Sequence, residues 1–171
     1  RHRVTFSKNN ILVTGGTGYI GSHTVVQLLV AGHQVVVLDN LCNSKREVVN
    51  RIERITGKRP EFVMGDIRDR DALRSVFAAH KIDAVIHFAG LKAVGESVAE
   101  PLAYYDNNVS GSVVLFEEMA RAGVKTLVFS SSATVYGDPA SVPIREDFPL
   151  GEESAEGEAK RQVRACVGLV Y

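Results

Sequence analysis

Ile11-Leu12-Val13-Thr14-Gly15-Gly16-Thr17-Gly18-Tyr19-Ile20-Gly21 decides the fold: a short apolar run, a turn dense in glycine, then the start of a helical periodicity. The turn contains G-x-G-x-x-G (Gly16, Gly18, Gly21) and G-x-x-G-x-x-G (Gly15, Gly18, Gly21). Glycine here permits a tight turn, lets the backbone approach a pyrophosphate with no Cβ in the way, and lets the helix pack close on the strand. The helix start turns unpaired N–H groups and a positive dipole end on the same spot, which suits phosphates. A glycine pattern elsewhere is equally an ordinary loop, so the strand-turn-helix setting carries the argument.

Working outward, Gln34-Val35-Val36-Val37-Leu38, Glu61-Phe62-Val63-Met64, Ala84-Val85-Ile86-His87-Phe88 and Thr126-Leu127-Val128-Phe129 are short and apolar, each followed by Asp, Gly, Ala-Gly or Ser. They read as further buried strands. Helical periodicity fills residues 19–31, 45–56, 69–80 and 105–122, the first closing at Gly32 where a helix end favours glycine. This alternation predicts an α/β chain: a Rossmann-type, doubly wound parallel sheet of about five strands. The second strand ends in Asp39, where a carboxylate can accept hydrogen bonds from the adenosine ribose hydroxyls. A 2′-phosphate would meet that charge, so NAD is expected over NADP, with Lys45-Arg46 as the opposing cations. A solvated strand-end carboxylate is the plain alternative.

The chain has 171 residues, 45% hydrophobic and 23% charged, which suits one globular domain. Lys+Arg 20 balance Asp+Glu 20, so no global charge favours nucleic acid or an anionic membrane. Two cysteines, Cys42 and Cys166, with no metal-ligand spacing, argue against a disulfide framework or a zinc site and for reduced cytoplasm. No apolar run approaches the roughly 18 residues of a membrane span, and the start carries no signal-peptide pattern. A start without methionine and an end at Tyr171 lead to the expectation of an excerpt from a longer protein. After residue 150, Glu152, Glu153, Glu156 and Glu158 precede Lys160, Arg161 and Arg164. The expected organisation is a domain over 1–150 and a divergent, polar, solvated tail over 151–171, with an amphipathic helix as the other reading.

Thr14 to His23, Asp39-Asn40-Leu41-Cys42-Asn43-Ser44, His87 to Ser97, Tyr104 to Asn108 and Ser130-Ser131-Ser132-Ala133-Thr134-Val135-Tyr136-Gly137 together resemble the UDP-glucose 4-epimerases of the extended short-chain dehydrogenase/reductase group. The resemblance implies NAD held by Gly15, Gly18 and Gly21, with backbone contacts at Tyr19 and Ile20. It sets Asp39, Asn40, Asn43 and Ser44 around the adenosine half, and Asp66 and Ile67 beside the adenine. It carries over Phe88, Ala89, Gly90, Lys92 and Ser130 as cofactor contacts, Lys92 being otherwise a solvated lysine. Asn107 would hold a cofactor-side network, or serve only as a cap or core amide. Ser132 resembles the catalytic serine that hydrogen-bonds the sugar hydroxyl. Related dehydratases carry Asp-Glu where this chain has Ala133-Thr134, and alanine supplies neither acid nor base.

The resemblance further implies a Tyr-x-x-x-Lys pair, the phenol acting as base and the ammonium lowering its pKa. Those positions are expected near Gly157 and Arg161, where neither residue stands. The resemblance is expected to stop at about Gly151, without a counterpart of the family's uridine-binding carboxyl-terminal domain in this sequence. The expected function is therefore the NAD-binding part of UDP-glucose/UDP-galactose interconversion, in a family of homodimers. The alternatives are a non-catalytic NAD-binding module and a nucleotide-sugar dehydratase.

Overall fold

Five strands form one parallel sheet in the order β3-β2-β1-β4-β5: β1 (Asn10–Thr14), β2 (Gln34–Asp39), β3 (Glu61–Met64), β4 (Ala84–His87) and β5 (Thr126–Phe129). The structure is a computed structural model and describes residues 8–151 and 155–170. Both faces of the sheet are covered, which explains why the strand sequences are apolar throughout. Along β1 the side chains alternate: Ile11 and Val13 join one core layer with Val25, Leu29, Val37 and Ile52, while Leu12 joins the other with Leu38, Leu73, Val85 and Met119. Helices α1 (Tyr19–Val30) and α2 (Glu47–Thr56) pack on each other, as do α3 (Arg70–Ala79) and α6 (Gly111–Ala122).

The chain winds from β1 outward to β3, then returns past β1 to β4 and β5. β1 therefore pairs with both β2 and β4, and the strand order reverses between β1 and β4. Loops leaving the carboxyl ends of those two strands diverge and open a crevice, the usual ligand position in such sheets.

All five expected strands form, while the helices differ at their ends and in their interior. Asp69 caps α3, its side chain accepting from the Asp71 and Ala72 amides, so that helix begins one residue later than the periodicity suggests. Gly57 (φ 68) and Gly123 (φ 74) end α2 and α6 in the left-handed conformation. Two short helices unforeseen in the sequence precede residue 105: α4 (Val94–Ala99) and α5 (Pro101–Tyr104). Pro101 opens α5 without sacrificing a helical hydrogen bond. Residues Tyr105–Ser110 are π-helical, the wider turn leading directly into α6.

The expected solvated tail is corrected. Residues Ala155–Val170 form a helix, α7, which packs against α4, α5, the π-helical segment and α6. Gly157, Ala159, Lys160 and Val163 are buried, and Val163 belongs to the core layer beneath β4. Charge content alone suggested solvation, whereas small and apolar residues at three- and four-residue intervals supply a face that the sheet can cover. On the same side of the sheet, the buried Glu118 of α6 accepts from Arg74 of α3 at 3.0 Å and pairs with Arg70 and Arg121. Burial raises its pKa, but these guanidiniums outweigh that and hold the carboxyl below its ordinary range.

Leu12, fully buried at the centre of the middle strand, is the side chain on which the second layer closes. Leu12→Ala is expected to destabilise the chain by about 2–5 kcal/mol, read as a lower urea midpoint at unchanged m-value.

Candidate functional site

The glycine turn is pressed against its neighbours. Gly15 has φ +69 and donates its amide to the Leu38 carbonyl at 2.9 Å; a Cβ there would lie 2.7 Å from the Ala89 nitrogen. A Cβ on Gly21 would lie 2.2 Å from the Gly15 carbonyl oxygen, so only glycine lets α1 start so close to the turn. Gly18 is extended and donates to that same carbonyl at 3.1 Å. The amides opening α1 at Tyr19, Ile20 and Gly21 have no acceptor within the helix and end a positive dipole. Tyr19 and Ile20 are exposed at this mouth.

Beside the turn, Asp39 is buried, and three groups fix its carboxylate. The Thr17 amide donates to one oxygen at 3.1 Å, while the Leu41 amide at 2.9 Å and the Ser44 hydroxyl at 3.2 Å donate to the other. Thr17 and Ser44 hydroxyls also meet at 2.7 Å, tying the first βα turn to the second. Leu41 accepts a left-handed φ of 60, a strain of about 1–2 kcal/mol offset by its bond to Asp39. Further along, Arg68 grips the Asp66 carboxylate with Nε at 2.9 Å and Nη2 at 2.8 Å, and reaches Asp106 at 2.6 Å. Asn40 donates to Asp66 at 3.0 Å. Arg68 above all holds the Asp66 carboxyl far below the ordinary carboxylate range, and Asp66 in turn raises the Arg68 pKa.

A directed polar chain links α6 to β4 and β1. The Ser112 hydroxyl donates to the Asn108 carbonyl at 2.5 Å, so the contact between Ser112 Oγ and His87 Nε2 at 2.9 Å needs its proton on the imidazole. Nδ1 then accepts from Thr14 at 2.6 Å, and Thr14 Oγ1 accepts the Ala89 amide at 3.4 Å. Burial first, and the Lys160 charge second, lower the His87 pKa to about 3. Asn108 clamps the following loop by accepting from the Leu91 amide at 2.8 Å and donating to the Leu91 carbonyl at 3.0 Å. Asn107 donates to Asn108 at 2.9 Å.

These parts enclose a cavity of about 460 Å³. Gly15, Gly18, Tyr19, Ile20, Gly21, Asp39, Asn40, Asn43, Ser44, Ile67, Phe88, Ala89, Gly90, Lys92 and Asn107 all line it. Asp66, Ser130 and Ser132 lie outside its lining. Ser130 presents its carbonyl to Lys160 Nζ at 3.2 Å, and Ser132 Oγ accepts from the Thr134 hydroxyl at 2.9 Å. Its lining combines the Asp39 and Glu96 carboxylates, the Lys92 ammonium and the glycine backbone of the first turn, the kind of lining that a dinucleotide crevice in such a sheet presents.

A sequence model of the NAD dependent epimerase/dehydratase family matches residues 11–168. The chain belongs to that family. Similar family members include UDP-glucose 4-epimerases of Neisseria meningitidis serogroup A / serotype 4A (strain DSM 15465 / Z2491), 68% identical over 90% of this chain and 46% of the relative, and of Bacillus subtilis (strain 168), 61% identical over 88% and 44%. The structure of UDP-glucose 4-epimerase from Bifidobacterium longum in complex with NAD+ and UDP superposes with a TM-score of 0.92 at 47% identity, covering 94% of this chain and 48% of that one. That of the Stenotrophomonas maltophila enzyme with bound NAD and formylated UDP-arabinopyranose gives 0.91 at 51%, over 94% and 48%. The chain thus spans a little under half the length of these relatives.

Lys160 was missed by sequence reasoning. Counting along the chain pointed to Arg161, but the fold turns Arg161 toward Glu158 of its own helix at 2.8 Å and buries Lys160. Its ammonium lies 5.0 Å from the Phe129 ring centroid, and a Cβ on Gly90 would meet it at 3.1 Å. The available signal was the three-residue spacing of Gly157, Lys160 and Val163; distance counted through an irregular loop does not set helical phase.

Two outcomes follow from this geometry. Gly21→Ala is expected to abolish ligand binding in the crevice and to lower the melting temperature, because backbone rather than a flexible side chain blocks the new Cβ. For His87, the folded pKa of about 3 lies below the ordinary 6.5, so between those values the unfolded chain takes up a proton that the folded chain refuses. Stability from this source is complete above about pH 6.5 and is lost as pH falls toward about 3. His87→Gln is expected to flatten the pH dependence of unfolding there by up to about 1.4 kcal/mol per pH unit, and nitrogen NMR of the wild type is expected to show neutral imidazole at about pH 5.

Proposed function

We propose that this chain is the NAD-binding half of a UDP-glucose 4-epimerase. The observation that carries the reading is the single cavity in which the close-packed Gly15–Gly21 turn, the amide-rich start of α1 and the fixed Asp39 carboxylate converge. In it, Tyr19 and Ile20 amides would take the pyrophosphate, with Gly15, Gly18 and Gly21 leaving room. Asp39, Asn43 and Ser44 would hold the adenosine ribose. Asn40, Asp66 and Ile67 would border the adenine. Phe88, Ala89, Gly90, Lys92, Asn107 and Ser130 would face the remaining half. Bound NAD would supply a hydride acceptor and donor for the sugar carbon.

Ser132 would hydrogen-bond the sugar hydroxyl, its oxygen already oriented by Thr134. Lys160 brings an ammonium to the crevice end near Ser130 and Gly90, where a cation would lower the pKa of a neighbouring acid. The residue four before Lys160 is Glu156, not tyrosine. We infer that the chain alone does not epimerise a UDP-sugar at a useful rate. General-base assistance of the expected kind is worth roughly 10²- to 10⁴-fold. Binding of the remote nucleotide, which would position the sugar, would fall to the part of the relatives that this chain does not span. Epimerisation is favoured over dehydration because Ala133 provides no carboxyl group. Pairing into a homodimer would use α6 and α7, and among the described residues no helix is long and apolar enough to cross a membrane.

Titration calorimetry tests the cofactor assignment: NAD is expected to bind, and Asp39→Ala to weaken NAD more than NADP. A coupled assay for UDP-glucose formation from UDP-galactose tests the rest. The expected result is turnover at least about 10²-fold below that of the Bacillus subtilis relative. Comparable turnover would overturn the inference of inactivity, and absence of NAD binding would overturn the site.

A further inference from the structure

Building on the dinucleotide reading of the crevice, we propose that Phe62 is a specificity-determining residue of its ribose end: its ring carries the Arg46 guanidinium and so withholds that cation from a 2′-phosphate. The path of the chain makes Arg46 the natural candidate for such a contact. Asp39 ends β2, the backbone reverses at Leu41, and Asn43 and Ser44 line the cavity. Arg46 follows two residues later as the cap of α2, where a planar guanidinium and a helix N-terminus would together suit a phosphate on the ribose.

The guanidinium is instead parked. Its carbon lies 5.4 Å from the centroid of the Phe62 ring. Phe62 belongs to β3, in register with Val37 of β2, and packs partly buried against the core layer shared by α1 and α2. The ring is therefore held by the core, while Arg46 is exposed and takes its orientation from the ring. At the end of β2, meanwhile, Thr17, Leu41 and Ser44 hold the Asp39 carboxylate in place. Discrimination against a phosphorylated ribose thus has two components, an anion that cannot swing aside and a cation turned away. An exposed cation–π contact shifts an equilibrium by about two- to fivefold, which sets the scale of the second component.

The experiment is calorimetric titration of NAD and NADP into the full chain. Phe62→Leu keeps the strand apolar but removes the π face, and is expected to move the ratio of the two dissociation constants toward NADP by about two- to fivefold. Adding Arg46→Gln to that variant is expected to return the ratio to the wild-type value, and Phe62→Trp, which retains a face for the cation, to leave it unchanged. An unchanged ratio in Phe62→Leu, or a gain that survives Arg46→Gln, overturns the proposal. Arg46→Gln alone avoids the core and serves if Phe62→Leu does not fold. It is expected to leave NADP affinity as it was, and a selective loss of NADP would mean that Arg46 already reaches the phosphate. A wild-type chain that binds neither nucleotide overturns the dinucleotide reading beneath this one, whereas NAD binding with an unmoved ratio overturns only the role of Phe62.

Discussion

The closeness of three backbone segments at the head of β1 is the constraint on which the rest of the structure depends. The Gly15 turn, the Phe88–Ala89 peptide after β4 and the first turn of α1 approach so closely that a Cβ on Gly15 or Gly21 would collide with backbone. This approach brings the helix dipole, the unpaired amides and the strand-end loops onto one small volume. Hydrophobic burial explains why β1 is central, since Leu12 and Val13 serve opposite core layers. It does not explain why the carboxyl end of the sheet is open. The opening comes from the reversal of strand order between β1 and β4, with glycine lining the gap where side chains would otherwise fill it.

Polar groups then hold the diverging loops in place. On the adenosine side, Asp39 ties the glycine turn to the β2 loop, and Arg68 ties the β3 loop to Asp106 of the π-helical segment. On the opposite side, Asn108 of that same segment clamps the β4 loop through both faces of its amide. The π-helical turn thus joins both ends of the crevice, consistent with the occurrence of such bulges at functional sites. His87 supports it from below as a neutral donor and acceptor, a role that a charged imidazole could not fill between these partners.

Helix α7 shows how far local composition can mislead. Its acidic residues followed by basic ones would be at home in solvent, yet Gly157, Ala159, Lys160 and Val163 turn inward, and Val163 joins the core layer with Val85, Leu127 and Phe129 of β4 and β5. Lys160 is the notable case: a buried ammonium accepted because the Ser130 carbonyl and the Phe129 ring face it. In the proposed site the lysine would join charged groups from distant loops, Asp39 and Lys92 among them.

By itself the sequence determined the fold class, the five strands and most of the crevice. Each rests on local rules: apolar runs too short for helices, a glycine spacing that only a strand-turn-helix needs, and a carboxylate at a strand end. Gly15, Gly21, Asp39, Asn43, Ser44, Gly90 and Asn107 were legible on those grounds or through the resemblance they carry, and they meet in one cavity. Tertiary structure alone decided the remainder. The phase of α7, and hence the choice of Lys160 over Arg161, depends on which face the core accepts, a long-range packing question that no spacing within the loop answers. The direction of the Arg46 guanidinium depends on Phe62, a residue on a different strand whose proximity is created only when β3 pairs with β2. The tautomer of His87 likewise exists only through Thr14 and Ser112, brought together from β1 and α6 by the closing of the sheet.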